Sequence, residues 1–291
     1  MANLKEIRIR ISSVESTRQI TSAMKMVAAS KLRKAQNAIT MMRPYAAKMH
    51  EMLQNLAAGD DVANENAYAQ KRDIEKVLII GITSNRGLCG AFNSNVIKRI
   101  NKLMITDYAT QHRAGNVDII SIGKKATEFF KKSGYNLVQH HDEIWDNLNW
   151  KSAQSFVEDI LEKFRDKDYD RVDIVYNQFK NAATYVLSVE QFLPVSPIEG
   201  NNAGKKNDYI MEPSLEVIVN ELIPKSLKVQ LYKALLDSNA AENGARMTSM
   251  HKATDNATEM IKDLKLKYNK ARQATITNEI IEIVSGANAL N

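Results

Sequence analysis

Both ends of the chain carry hydrophobic positions spaced three and four residues apart, which is the repeat of an α-helix. The first stripe contains Leu4, Ile7, Ile11 and Val14, and resumes after a stutter at Ile20, Met24 and Val27. The last stripe contains Ala257, Ile261, Leu264, Tyr268, Ala271 and Thr275. Heptad-like stripes let two helices wind around each other. The pattern therefore predicts one long antiparallel coiled coil of N- and C-terminal helices.

Glycine and proline are scarce at both ends. Residues 1–58 contain no glycine and one proline, Pro44, whereas residues 225–285 contain one glycine, Gly244, and no proline. Such long stretches without helix breakers support two long terminal helices. Pro44 is expected to bend or interrupt the first helix, and Pro224 to mark the effective start of the last.

The middle of the chain alternates short β-rich runs with helical spacing. Strands are predicted over residues 75–83, 117–123, 171–176 and 184–195, and helices over 93–107, 124–132 and 152–164. This alternation indicates a central Rossmann-like α/β domain built from right-handed βαβ units. A polar segment at 201–208 predicts a flexible loop. The domain boundaries are therefore 1–60 for the N-terminal helix, 72–200 for the α/β domain and 209–291 for the C-terminal helix.

The charge of the chain is concentrated near its N-terminus. The formal net charge is +6, and residues 1–50 contain ten Lys or Arg and two acidic residues, so they contribute +8 and the remainder −2. This segment either binds an acidic partner or forms a solvated helix face. The single cysteine favours a reducing compartment, and the lack of a long apolar run or a signal-peptide core predicts a cytosolic chain.

One glycine-containing turn offers candidate chemistry. Residues 83–93 follow a predicted strand and precede a predicted helix, which is where phosphate-binding loops occur. The turn lacks the spacing of a dinucleotide or P-loop motif, so a tight structural turn is favoured. Cys89 within it is expected to be a buried small residue rather than a nucleophile. Residues 140–143, His-His-Asp-Glu, are expected to form a solvated loop rather than a metal site.

Two classes of function stay open on these patterns. The first is a nucleotide-binding α/β enzyme with helical extensions, which predicts nucleotide binding by the middle domain. The second is a coiled-coil scaffold on nucleic acid or on a membrane surface, because of its basic N-terminal arm. Nucleic acid is disfavoured because Tyr45 is the only aromatic residue for base stacking in residues 1–50.

Three blocks of sequence resemble the gamma subunit of F-type ATP synthases of the bacterial type. The first block extends from Leu4-Lys-Glu-Ile-Arg8 to Ile20-Thr-x-Ala-Met24-x-Met-Val-Ala-Ala-Ser-Lys31, and the second is Gly87-Leu-Cys-Gly-x-Phe-Asn93. The third begins at Ala245-Arg-Met247 and Ala253-Thr-Asp-Asn256. It continues through Tyr268-Asn-Lys-Ala-Arg-Gln273 to the signature Ile276-Thr277-x-Glu279-x-x-Glu282-x-x-x-Gly286-Ala287. The blocks lie in the family's order and span the chain.

The resemblance implies a subunit without catalytic residues, cofactor or metal. It implies that the chain acts as the central rotor shaft. Such a shaft couples proton flow through the membrane sector to rotational catalysis of ATP synthesis and hydrolysis at the beta subunits. The implied partners are three alpha and three beta subunits, the epsilon and delta subunits and the membrane ring of c subunits, with no nucleic acid. The implied location is peripheral, at the cytoplasmic face of the bacterial plasma (inner) membrane, with indirect membrane association.

The resemblance also implies contact residues. Met24 and Lys25 match a segment that faces the beta subunits, and Arg272, Gln273 and Thr277 match positions that bond the beta catch loop. Further expected contacts with alpha and beta subunits are Glu279, Glu282, Val284 and Leu290. Tyr209 and Glu212 match the foot that contacts the rotor ring and epsilon subunit.

Overall fold

The computed structural model describes residues 4–57, 68, 72–195 and 215–289. The chain divides into two compact units, one formed by Met1–Ala29 with Arg246–Asn291 and the other by Ser30–Ala245. The predicted loop at 201–208 and the contact residues Tyr209, Glu212 and Leu290 lie outside the described residues.

Two long helices dominate the ends of the chain. Helix α1 spans Leu4–Ala57, and the last helix, α6, spans Leu215–Ala289. Pro44 lies inside α1 without ending it, so an interruption of the helix at Pro44 is wrong, whereas a bend there stays a prediction. The predicted start at Pro224 is also wrong, because α6 begins nine residues earlier. A proline removes one backbone donor, but burial of the neighbouring Ile223 and Leu227 holds α6 together across it.

The middle of the chain forms a five-stranded sheet with the order β3-β2-β1-β4-β5. The strands are β1 (Val77–Ile82), β2 (Val117–Ile122), β3 (Asn136–His140), β4 (Arg171–Phe179) and β5 (Tyr185–Leu193). Strands β1 to β4 are mutually parallel, and β5 pairs antiparallel with β4. The intervening helices are α2 (Phe92–Thr106), α3 (Ala109–Arg113), α4 (Lys124–Lys132) and α5 (Trp150–Arg165), with a 3₁₀ turn at Asp142–Trp145.

The mixed α/β fold with long terminal helices confirms the predicted fold class. Four strands and three helices were predicted from the sequence. Strand β3 was missed because its residues alternate between exposed and half-buried and contain only two aliphatic side chains. The predicted loop at 140–143 is therefore wrong, since His140 ends β3 and Asp142 opens the 3₁₀ turn.

The sheet has a hydrophobic core on each face. Helices α2 and α4 pack on one face, where Val96, Ile100 and Phe130 meet Ile79 and Ile119. Helix α5 and the first part of α6 cover the other face, where Phe156, Ile160 and Leu231 meet Leu78 and Ile174. The crossover connections explain this division. The chain moves from β1 to β3 in one direction and then returns to β4 in the other, so right-handed crossovers place α5 opposite α2 and α4.

The hydrophobic seam of α1 differs from the sequence prediction between residues 18 and 28. The predicted stutter is absent, since Ile20 and Val27 are 59% and 57% exposed while Thr21 and Ala28 are buried. The spacing of three and four residues continues without interruption. The seam residues are Leu4, Ile7, Ile11, Val14, Arg18, Thr21, Lys25 and Ala28. Hydrophobic residues alone predict a seam displaced by one residue here, because the observed seam includes the polar side chains of Arg18, Thr21 and Lys25.

Candidate subunit interface

Three polar contacts define the pairing of the terminal helices within the first unit. The Arg8 guanidinium donates to the Tyr268 hydroxyl at 2.8 Å, and the hydroxyls of Thr21 and Thr254 lie 2.9 Å apart. Lys25 Nζ lies 3.3 Å from His251 Nδ1. The two residue numbers in each pair add to 275 or 276, so the helices run antiparallel in a constant register.

This register leaves the end of α6 without a counterpart on α1. Residue 4, where α1 begins, corresponds to about residue 272 of α6, so the helix continues for more than four turns beyond the pair. Tyr268 and Ala271 are the last half-buried residues of α6, and every described side chain from Arg272 to Asn288 is exposed. We call residues 272–289 the tip of α6.

The tip brings together six of the predicted contact residues. They are Arg272, Gln273, Thr277, Glu279, Glu282 and Val284, all exposed on one continuous helix. Met24 and Lys25 are half-buried on α1, where Lys25 belongs to the seam and Met24 lies beside it. The Thr277 hydroxyl donates to the Gln273 carbonyl oxygen at 2.9 Å, which leaves its oxygen free to accept a further hydrogen bond.

The tip also exposes four isoleucines in addition to those six residues. Ile276, Ile280, Ile281 and Ile283 are 46%, 56%, 56% and 71% exposed. Adjacent exposed aliphatic residues on a helix without a packing partner are typical of a surface that binds another chain. The sequence held a signal for them, since hydrophobic residues continue beyond Ala271 where the helix pair ends.

The turn between β1 and α2 uses its polar groups internally. Ser84 N donates to Asn93 Oδ1 at 2.9 Å, and the Ser84 hydroxyl donates to the Arg86 carbonyl at 2.7 Å. Asn93 Nδ2 lies 3.3 Å from the sulfur of Cys89, which is 2% exposed. The sequence predictions of a structural turn and of a buried Cys89 are confirmed.

The start of α4, a second place where a phosphate could bind, is also occupied by the chain itself. The backbone N–H groups of Lys124, Lys125 and Ala126 donate to Asn85 Oδ1, Ser84 O and Thr83 Oγ1, respectively. Gly123 allows this approach, because it has a φ of 108° and an added Cβ would lie 2.2 Å from the Thr83 carbonyl oxygen. A helix start binds anions through free N–H groups, and these three already have acceptors.

Two buried aspartates, Asp118 of β2 and Asp173 of β4, lie near the amino ends of their parallel strands. Tyr108 donates to Asp173, which also accepts from Arg171 at 3.1 Å, and Tyr169 donates to Asp118 at 2.9 Å. Burial raises the pKa of Asp173 above its ordinary value, and the hydrogen bond from Tyr108 and the charge of Arg171 oppose that shift. These carboxylates fasten strand ends to neighbouring segments, so we assign them a structural role.

A third buried carboxylate, Asp237, lies on α6 in the second unit. Arg43 of α1 donates to Asp237 Oδ1 at 3.5 Å and to the carbonyl oxygen of Phe179 at 3.0 Å. Burial raises the pKa of Asp237, while the charges of Arg43 and Lys233 lower it. Arg43 therefore links α1, α6 and the end of β4.

These features define a protein whose two ends form an antiparallel helix pair with an exposed tip. Its middle is an α/β domain in which the turns at the carboxyl ends of β1 and β2 bond to each other. Within the described residues, no group of three or more His, Cys, Asp or Glu side chains could hold a metal ion. None of the described helices has the length and hydrophobicity required to span a membrane.

Comparison with known proteins identifies the family. Residues 3–290 match the family described as ATP synthase. The ATP synthase gamma chain of Flavobacterium johnsoniae is 56% identical over 291 residues, covering 100% of both chains. The gamma chain of Chlorobium limicola is 46% identical over 292 residues, covering 100% of this chain and 99% of the relative.

Solved structures support the fold. A chain of the Euglena gracilis mitochondrial ATP synthase aligns with a TM-score of 0.68 at 20% identity, over 99% of this chain and 94% of its own length. A chain of the Tetrahymena thermophila enzyme, from a structure of its central stalk and c-ring, aligns with a TM-score of 0.63 at 24% identity, over 80% of this chain and 99% of its own. The chain belongs to the ATP synthase gamma subunit family. This confirms the family predicted from the sequence and agrees with a noncatalytic, rotary coupling subunit.

Proposed function

We propose that this chain forms the central rotor shaft of a bacterial F-type ATP synthase. It couples proton flow through the membrane sector to ATP synthesis and hydrolysis at the beta subunits, and it thereby regulates ATPase activity and proton flow. The observation that carries the proposal is the exposed tip of α6, which continues past the helix pair with four exposed isoleucines. Such a surface requires a surrounding chain to cover it.

The composition of the tip suits a rotating contact. Residues 283–290 carry no charged side chain, and Ile283 and Val284 are 71% and 53% exposed. Apolar contacts are non-directional, so their free energy changes little as one surface turns inside another. A buried ion pair would instead hold the rotor at one angle, because breaking it leaves an uncompensated charge.

We assign contact roles to the predicted residues on this basis. Arg272, Gln273 and Thr277 present hydrogen-bonding groups at the base of the tip, where they meet the catch loop of a beta subunit. Glu279, Glu282, Val284 and Leu290 contact the alpha and beta subunits farther along. Lys25 in the helix seam and Met24 beside it face the beta subunits near the base of the catalytic head. Tyr209 and Glu212 contact the rotor ring and the epsilon subunit.

The proposed assembly contains one copy of this chain for three alpha and three beta subunits, with the epsilon and delta subunits and a ring of c subunits. The shaft comprises residues 1–60 and 209–291, and residues 72–200 form the central domain. A single chain without threefold symmetry contacts three chemically identical sites differently, so each rotation angle favours a different state at each site. The assembly lies at the cytoplasmic face of the bacterial inner membrane, and the gamma chain associates with that membrane indirectly.

Affinity purification from gently solubilised native membranes tests the assignment. The tag is placed on a catalytic subunit, which leaves both ends of this chain unmodified, and native mass spectrometry gives the subunit ratio. We expect one copy of this chain for three alpha and three beta subunits, together with ATP hydrolysis activity. Catalytic subunits recovered without this chain would overturn the proposal, and separate purification of this chain as a homo-oligomer containing nucleotide would restore the nucleotide-binding alternative.

A further inference from the structure

The two faces of the central α/β domain carry opposite charge. Helices α2 to α4 lie on one face and contribute eight basic and two acidic surface residues, a net charge of +6. The segment 142–170, which contains α5 on the other face and which we call the acidic face, has nine acidic and four basic residues, a net charge of −5. We call the first surface the basic face. Its basic residues are Lys98, Arg99, Lys102, Arg113, Lys124, Lys125, Lys131 and Lys132.

The basic face is continuous because α2 and α4 contact each other above the same hydrophobic core. Lys98 and Lys102 lie one turn apart on the exposed side of α2. Lys124 and Lys125 start α4, and Lys131 and Lys132 end it, so the charges span its whole length. They are spread over a surface and do not converge on one point, which distinguishes the face from a pocket for a single phosphate.

The charges of this face are largely unneutralised by the chain. Lys125 pairs with Glu128 at 2.6 Å, and in the part of the chain that the structure describes the other seven basic residues form no ion pair. The pKa of Glu128 lies below its ordinary value, first because Lys125 donates a hydrogen bond to it and further because Lys132 and Lys124 add positive potential. The acidic face differs, since Glu158, Asp159 and Glu162 all pair with basic residues.

Lysine predominates on the basic face, with six lysines against two arginines. Arginine binds discrete carboxylates through a planar fork, whereas lysine is a flexible point charge that suits a diffuse negative surface. Clusters of four to eight basic residues bind anionic lipids in this way. Ile105 and Phe129, which are 67% and 37% exposed on α2 and α4, can contact the headgroup region of a bilayer.

We propose that the basic face of the α/β domain is an electrostatic docking surface for anionic phospholipid headgroups. This inference rests on the proposed function, which places the chain beside a membrane. Docking of this kind is weak and reversible, because each charge near the surface contributes only about 1 kcal/mol and the attraction decays within a Debye length of about 8 Å. It holds the domain near the bilayer without fixing it in one orientation, which is compatible with rotation.

Flotation of the full chain, assembled with its alpha and beta subunits, tests this. The complex is mixed with vesicles of pure phosphatidylcholine or with vesicles containing one-third phosphatidylglycerol, at low and at high salt. We expect binding to the anionic vesicles alone and its loss at high salt. Binding to both vesicle types, or to neither, would overturn the proposal.

Paired variants locate the binding surface. The double variant Lys98→Gln/Lys102→Gln removes two charges from the basic face, and about 30-fold weaker vesicle binding is expected. The double variant Lys151→Gln/Lys167→Gln removes the same net charge from the acidic face and should bind within about twofold of the unmodified complex. Equal effects of the two variants would show that net charge, rather than the basic face, controls binding.

A zero-length crosslinker that joins lysine to carboxylates separates lipid from protein partners in native membranes. Predominant crosslinks from Lys98, Lys102 or Lys124 to an acidic protein would assign this face to that protein and overturn the lipid proposal. The subunit ratio of the purified complex is measured on the same sample. A correct ratio without vesicle binding would therefore reject the lipid inference and leave the proposed function standing.

Discussion

Thr21 of α1 and Thr254 of α6 form a polar contact inside the seam of the terminal helix pair, with their hydroxyl oxygens 2.9 Å apart. Thr21 is 8% exposed, and Met250 and Ala257, which flank Thr254 by about one turn on α6, are buried. The Thr254 hydroxyl donates to Thr21 Oγ1 and also lies 2.8 Å from the Met250 carbonyl oxygen, so these two acceptors share its single proton, while the Thr21 hydroxyl donates to the Arg18 carbonyl oxygen. A polar residue at a seam position of a coiled coil fixes the register at some cost in stability.

A double-mutant cycle on this pair should show strong coupling. Thr21→Val or Thr254→Val alone leaves one hydroxyl without its partner and should lower the free energy of unfolding by about 1–2 kcal/mol. The double variant replaces both groups with apolar groups of similar shape and should be close to neutral. Urea denaturation followed by circular dichroism measures each value. Additive losses in the double variant would show that the hydroxyls do not interact.

Asp237 should make stability depend on pH in a defined direction. Its folded-state pKa is raised by burial, so the folded protein resists ionisation more than the unfolded chain does. The stability that this raised pKa provides is complete below the unfolded value of about 4 and is lost as the pH rises through the folded value.

Asp237→Asn cannot ionise, so its free energy of unfolding relative to the unmodified chain should increase as the pH rises above about 4. Urea denaturation at a series of pH values measures the difference. Asp166→Asn is a suitable control, since Asp166 is exposed. A difference that stays constant or falls with pH would contradict the assigned direction.

Gly244 and Gly286 should respond oppositely to substitution by alanine. Both lie in α6, where alanine is favoured over glycine by up to about 1 kcal/mol. An added Cβ at Gly244 would lie 2.9 Å from the backbone carbonyl oxygen of Ala182, whereas at Gly286 it would meet no atom within 4 Å. We therefore expect Gly244→Ala to destabilise the protein by about 1–3 kcal/mol and Gly286→Ala to retain or increase helicity. Thermal unfolding monitored by far-ultraviolet circular dichroism compares them. Equal stabilisation by both substitutions would mean that the turn after β4 moves away from α6 at no cost.

The tip of α6 should matter for assembly more than for folding. Ile280→Gln/Ile283→Gln changes two exposed side chains, so the unfolding free energy of the chain should stay within about 0.5 kcal/mol. Binding of alpha and beta subunits should weaken at least about tenfold, because two aliphatic contacts are lost from the proposed interface. Ile105→Gln, at an exposed position on the α/β domain, serves as the control. Analytical ultracentrifugation of reconstituted mixtures measures assembly.

Truncation extends the same prediction. Removing residues 284–291 should reduce torque or assembly more than it reduces the solubility and helicity of the chain. Rotation measurements on single complexes, combined with circular dichroism of the free chain, provide both readouts. Preserved rotation together with lost solubility would contradict the assigned role of the tip.

The sequence by itself determined the fold class and the family. Long stretches without glycine predicted α1 and α6, and the β-rich runs predicted β1, β2, β4 and β5, because local propensity and hydrophobic periodicity decide these elements. Motif identity, rather than any catalytic pattern, led to the gamma subunit family and to the contact residues at the tip.

Only the tertiary structure decided the register of the helix pair and the hydrogen-bond partners of the N–H groups at the start of α4. A seam can include Thr21 and Lys25 when side chains of the other helix bond to them, and no pattern of hydrophobic residues reveals that. Likewise, the N–H groups at the start of α4 look available for a phosphate in sequence, yet residues from a turn 39 to 43 positions away accept them. Hydrogen bonds and burial between distant segments depend on three-dimensional proximity, which local periodicity does not encode.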